Sequence, residues 1–263
     1  MTTTVKPNYY RMNKLLLPFL FLLCSVTATA QYNPIQFGIQ LSPAFSYMTS
    51  DNNLIESDGT KLGLKLGLMA EYYFQDNYSI HTGLNFHFGA GGGLRYDDSS
   101  NGFEYVDIWR ESLSETFTSP PDRDELAGAT FDYKLQYVEI PLGLTLRTRE
   151  FGYLRYFVRP GITLGINSGA RGSLEGVAGI DGSENFKIGP EVGPINLSWG
   201  IGGGIEYAIS TNSSLIGGIG FQSGFVDITT DGDTEVLRTD RSPAEDNSRG
   251  KLNSIVIIVG VMF

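Results

Sequence analysis

Between positions 61 and 74 the chain reads KLGLKLGLMAEYYF. Leu62, Leu64, Leu66, Leu68, Ala70, Tyr72 and Phe74 occupy alternate positions, and Lys61, Gly63, Lys65, Gly67 and Glu71 lie between them. A period of two means a β-strand with one apolar face. The same alternation recurs over 36–48, 78–90, 132–147, 153–168, 195–209, 213–226 and 252–263, carried by residues such as Phe37, Ile39, Phe86, Leu142, Ile162, Ile205, Phe225 and Ile257. Eight such segments result, each at least as long as the roughly 9–11 residues a tilted membrane strand needs. In 132–147 the alternation changes phase: Tyr133, Leu135 and Tyr137 are odd, whereas Ile140, Leu142, Leu144 and Leu146 are even. A β-bulge near Val138 or inward-facing tyrosines would reconcile the halves.

The connections alternate in length. Long stretches at 49–60, 91–131, 169–193 and 227–251 are separated by short ones at 75–77, 148–152 and 210–212. That is the pattern of an up-and-down barrel with loops at one end and tight turns at the other. The expected fold is therefore all-β: an eight-stranded antiparallel up-and-down transmembrane β-barrel, spanning 31–263. Residues 1–30 read as a secretory signal peptide, with Lys6, Arg11 and Lys14 before an apolar run and Ala28-Thr29-Ala30 at its end. Cys24, the single cysteine, lies inside that segment, so the exported chain would carry no disulfide. Without the segment 16 basic residues face 29 acidic ones, which argues against a nucleic-acid partner.

Alternation alone does not say which face is outside. The non-apolar face does, because it is rich in glycine: Gly63, Gly67, Gly83, Gly143, Gly200, Gly202, Gly204, Gly218 and Gly220. Glycine covers nothing on a wet surface but fits the interior of a narrow barrel. The apolar face then meets lipid. Lys65, Glu71, His81, Glu139, Arg147, Arg155, Arg159 and Glu206 turn into the lumen, where buried charges of mixed sign must pair. Tyr72, Tyr73, Phe74 and Tyr78 at one end and Phe45, Tyr47, Phe86 and Phe88 at the other suit two interfacial aromatic girdles. Phe263 ends the last strand on the apolar face.

The segment Tyr137-Val138-Glu139-Ile140-Pro141-Leu142-Gly143-Leu144 is similar to a strand motif of the small outer-membrane β-barrel family of Bacteroidota often called PorT-like. The chain resembles that family over nearly all its length after the signal. The resemblance implies an outer-membrane location and offers no catalytic residues; one branch of the family is tied to a secretion system.

Candidate chemistry is sparse. The four long stretches hold 23 of the 29 acids. Asp231, Asp233 and Glu235 offer hard oxygen ligands at alternate positions, a weak Ca²⁺ candidate without a full EF-hand ligand set. The competing reading is a solvated acidic surface. No cofactor is otherwise expected. His81 and His87 lie roughly 20 Å apart along one strand and cannot share a metal. His87, expected at the loop rim near Asp97 and Asp98, is the one residue on which a rim-sited enzyme could rest. Phe103, Tyr105, Ile108, Trp109 and Phe117 in 91–131 are either a lid on the barrel mouth or contacts for an envelope protein or glycan.

The expectation is thus a monomeric, non-enzymatic outer-membrane barrel with periplasmic termini. It would act through acidic external loops, with outer-membrane lipid and lipopolysaccharide as its surroundings. A narrow passive channel lined by Arg155 and Arg159, a secretion-machinery subunit and a rim-sited enzyme are the alternatives.

Overall fold

In the computed structural model eight long strands follow one another around a closed ring. They are β1 (Ile35–Ser50), β2 (Ile55–Gln75), β3 (Tyr78–Tyr96), β4 (Thr130–Arg147), β5 (Leu154–Glu175), β6 (Ile195–Ala208), β7 (Ser214–Gly224) and β8 (Gly250–Met262). The structure describes residues 34–52, 55–96, 104–106, 109–121, 126, 128–177, 179–180, 182, 185–230, 235–237, 243–245 and 248–263. Every strand pairs antiparallel with its sequence neighbours, and β1 closes on β8 from Gly38 opposite Met262 to Ser50 opposite Gly250. This is the expected eight-stranded up-and-down barrel, and its turns after β2, β4 and β6 are the expected short ones.

At the other end short elements decorate the ring. Helix α1 (Arg110–Thr116) lies in the longest connection. The strand Phe186–Lys187 extends the sheet from β5. Glu104–Val106, Glu235–Leu237 and Pro243–Glu245 pair into a small separate sheet that joins two of the loops.

The apolar strand faces point outward. Leu62, Leu64, Leu66 and Leu68 of β2, Phe86 and Phe88 of β3, Ile140, Leu142, Leu144 and Leu146 of β4, and Ile255, Ile257 and Val259 of β8 are all exposed on the outer wall. Lys65, Glu71, Glu139, Arg147 and Glu206 are buried inside. The barrel is therefore inside-out relative to a water-soluble one over this zone.

Toward the long-loop end the polarity reverses, and β4 shows it most directly. Below Val138 its outward residues are apolar and its inward ones are Glu139, Gly143 and Arg147. Above Val138 the outward positions carry Gln136 and Lys134, while Phe131, Tyr133, Leu135 and Tyr137 are buried within. The phase change in the sequence is resolved by these inward tyrosines. The strand does not bulge at Val138; it keeps its alternation while its surroundings change. The irregularities lie in the adjoining strands, between Phe88 and Ala90 of β3 and opposite Gln136 and Tyr137 on β5.

The upper zone also lengthens the strands beyond expectation. The connection expected over 49–60 is mostly strand, since β1 runs to Ser50 and β2 begins at Ile55. β3 continues to Tyr96 and β5 to Glu175. The extra residues follow a water-soluble pattern, with Met48, Ile55, Ala90, Leu94 and Leu174 inside, so the lipid-type alternation stops short of the strand ends.

A charge placed below the switch should be costly and one above it tolerated. Leu142→Arg is expected to lower stability in lipid vesicles by about 2–4 kcal/mol, and Gln136→Arg to change it by no more than about 0.5 kcal/mol. Denaturant unfolding in vesicles measures both; equal costs would remove the two-zone description.

Candidate functional site

The lumen gathers most of the polar chemistry singled out in the sequence, and it does so in two layers. Toward the short-turn end Arg147 is the hub. Its Nε donates to Glu206 at 2.7 Å, Nη1 donates to Ser79 Oγ at 2.8 Å, and Nη2 donates to Glu71. Arg159 donates to the other oxygen of Glu71, Ser79 donates to Glu71 at 2.8 Å, and Ser214 donates to Glu206 at 2.9 Å. Two carboxylates thus face two guanidinium groups, with hydroxyls filling the remaining lone pairs. A buried ion pair needs such partners to offset its desolvation, and here Arg159 Nε alone in this layer is left without one among the described residues.

One layer up, Lys65 Nζ donates to Glu139 at 2.8 Å and to Gln222. His87 Nδ1 lies 3.0 Å from Glu139 Oε1, and Gln222 Nε2 donates to Thr163 at 3.0 Å. Glu139 is shared between Lys65 and His87. Three of its four lone-pair sites are engaged by these two side chains. Between the layers is a cavity of about 140 Å³ bordered by Gln40, Glu71, His81, Asn85, Arg159 and Gln222. His81 meets Thr145 Oγ1 at 3.1 Å and lies against Gly143, where any Cβ would overlap the ring.

Apolar groups cluster inside the lumen toward both ends. Met69, Phe157, Ile216 and Met262 cluster inside toward the short turns. At the long-loop end Trp109, just before α1, inserts into the barrel mouth. Its ring meets the edges of Phe131 and Tyr133, each at 4.9 Å between centroids, and Phe186 at 5.8 Å. Its Nε1 donates to Tyr133 OH at 3.0 Å. Gly172 on β5 makes the insertion possible, since a Cβ there would overlap the indole. Leu113 of α1, Leu126, Ile188, Val192 and Ile228 complete a core over the mouth.

Several expectations change. Arg155 is not part of the lumen network: it lies near the start of β5 at the wetter rim, about one-third exposed, and pairs with Glu150 at 2.9 Å. Tyr73 leaves the girdle, pointing inward with Arg147 4.9 Å over its ring and its hydroxyl donating to Gln36 at 3.0 Å. His87 is not at the rim, because β3 continues to Tyr96 and buries it. Trp109 lies in the interior and Phe117 packs partly buried against Phe186. Phe103, Ile108, Asp97, Asp98, Asp231 and Asp233 lie outside the described residues, as do the side chains of Tyr105 and Glu235. Among the described residues no three potential metal ligands come together. The sequence reading missed Gln222, Ser79, Thr163 and Phe157, which belong to the lumen. Their inward phase was visible, but uncharged partners give no signal of their own.

Two outcomes follow from this arrangement. Lys65→Met leaves Glu139 short of its cation and should cost about 3–5 kcal/mol in denaturant unfolding, with Lys65→Met/Glu139→Leu costing less than the single change. The chain has two tryptophans, and Trp199 is exposed on the outer wall while Trp109 is buried. Brominated lipid should therefore quench the Trp109→Phe variant, which retains Trp199, far more than the Trp199→Phe variant. Similar quenching of both would place Trp109 outside.

The family model of the outer membrane protein beta-barrel domain matches residues 27–230. None of the curated proteins compared with the chain matches it. Among solved structures, a major outer membrane protein of Thermus thermophilus is similar at 14% identity and TM-score 0.42, covering 88% of this chain and 99% of that one. Neisserial surface protein A is similar at 12% identity and TM-score 0.39, covering 86% and 95%. The attachment invasion locus protein of Yersinia pestis follows at 14% identity and TM-score 0.34, covering 87% and 97%.

Proposed function

The chain belongs to the outer membrane protein β-barrel domain family, and from that membership we propose that it is an exported, monomeric, non-enzymatic barrel of the bacterial outer membrane. Its short turns and both termini face the periplasm, and residues 1–30 are its export signal. The long-loop end stands outside the cell and presents an acidic surface with a binding or envelope-stabilising role. Within the family, the strand 137–144 favours the PorT-like branch of Bacteroidota.

The observation that carries this reading is the polarity reversal on β4 at Val138. An apolar outer wall over a paired, charged lumen suits hydrocarbon. An apolar interior under a polar wall suits water. One end of the barrel therefore projects from the bilayer as an ordinary folded domain. A projecting, filled end suits a surface for binding better than a conduit. The lumen supports the same preference, since the Trp109 core closes one end and the Arg147 layer with Phe157 and Met262 fills the other.

Extraction from outer membranes tests the assignment. Unboiled protein is expected to run at a different mobility on an SDS gel from boiled protein, and planar bilayers containing it are expected to show no unitary conductance. Recovery in the soluble periplasmic fraction with no shift would overturn the membrane reading. Steady single-channel steps would favour the channel.

A further inference from the structure

The outer wall carries a lateral row of three cations just above the apolar belt. Lys134 on β4 is opposite Arg171 on β5, and Arg171 is opposite Lys187 on the short strand that extends the sheet. All three are exposed, and their inward neighbours, including Phe186, pack into the core over the mouth, so the cations face outward. Neighbouring strands lie about 4.8 Å apart, so three like charges stand side by side. Such neighbours repel.

No described carboxylate pairs directly with them, Glu175 on the same face of β5 included. None of the three takes part in an ion pair or a side-chain hydrogen bond among the described residues. The nearest outward acid on β4, Asp132, is taken by Lys61 at 3.0 Å. In a chain with 29 acidic and 19 basic residues, an unpaired basic row runs against the overall charge.

Its height is informative. Val138, level with Ile166, marks the top of the apolar wall on this side. Lys134 is four residues further along, which at about 3.4 Å per residue and a tilt of about 40° places the row about 10 Å above the hydrocarbon edge. The headgroup layer of an ordinary phospholipid bilayer ends about 5–8 Å above that edge, so the row stands at its outer limit, a depth that suits a larger saccharide headgroup. Gln136 and Ser168, both exposed, form the neutral step between belt and row. Beside Lys134 a recess of about 330 Å³ runs past Lys61 to Leu62 and Gly89 at the top of the belt, with Asp132 and Glu175 lining its upper part, beyond the row.

We propose that Lys134, Arg171 and Lys187 form a docking site for the phosphorylated saccharide headgroup of an outer-leaflet glycolipid of the lipid A type. The acyl chains lie against the belt below, and the phosphates relieve the repulsion within the row. This rests on the preceding reading that the long-loop end faces outward. It also explains how an acidic surface remains compatible with an anionic leaflet: the basic row is at lipid height and the acids are concentrated in the loops above.

The test uses the full protein extracted from outer membranes, stripped of lipid in detergent, with diphosphoryl lipid A as probe and native mass spectrometry as readout. Lys134→Gln/Arg171→Gln/Lys187→Gln should bind lipid A at least about tenfold more weakly, given the usual attraction of surface Lys and Arg to anionic lipid. Each single variant should fall between, and the singles carry the test should the triple variant fail to fold. A control that removes the same charge elsewhere, Arg95→Gln/Arg155→Gln/Arg249→Gln, should bind within about twofold of wild type. Equal binding by the row variants, equal loss in the control or equal binding of fully dephosphorylated lipid A would each overturn the proposal. So would displacement of lipid A by inorganic phosphate alone, since the site would then take free anion. Heat-dependent mobility is recorded for every sample. Its absence in wild type would overturn the barrel reading itself, whereas its presence with unchanged lipid A binding would overturn the docking site alone.

Discussion

Ring closure governs the rest of the molecule. A strand in hydrocarbon has no water to satisfy its N–H and C=O groups, so an open sheet edge is excluded there. The pairing of β1 with β8 removes the last two edges, ending with Phe37 and Phe263 exchanging backbone hydrogen bonds at 3.1 and 2.8 Å. Closing only eight strands leaves an interior just wide enough for side chains. The glycines opposite Ile258 on β6 and β7, and Gly143 beneath His81, are consequences of that narrowness.

The same constraint fixes the chemistry of the lumen. Inward positions are shielded from lipid and largely from water, so each charge there needs a partner within reach. Arg147 reaches two carboxylates on two other strands, Glu71 and Glu206, and Lys65 reaches across to Glu139. These contacts tie next-but-one strands together through the interior. They read as the internal scaffolding of the barrel, and the cavity between them is a gap in that scaffold bordered mostly by groups already engaged, Arg159 Nε being without a partner among the described residues.

Above Val138 the solvent changes and the rules invert. There β1 to β5 go on while β6 and β7 stop, and the wall becomes polar and the interior apolar. Trp109 and α1 then do for the barrel mouth what a buried core does in any folded domain. The basic row lies a short way above the boundary between the two regimes, at the outer limit of the headgroup layer.

Much of this was legible in the sequence. The period-two segments, the alternation of connection lengths and the glycine-rich face specify eight strands, their order and the inside-out wall. They also name most members of the charged lumen. What the sequence left open has a common physical cause. The alternation of Tyr133, Leu135 and Tyr137 marks a strand without saying which medium faces it, so the reversal at Val138 stayed ambiguous between a bulge and inward rings. The lid role of Trp109 depends on Gly172 and Phe186, distant in sequence and adjacent only after closure. Arg155 and Arg159 share a face, yet only depth along the strand separates a rim pair with Glu150 from a lumen pair with Glu71. The row of Lys134, Arg171 and Lys187 exists only through strand register, since a single sequence records alternation along each strand and register is set between strands.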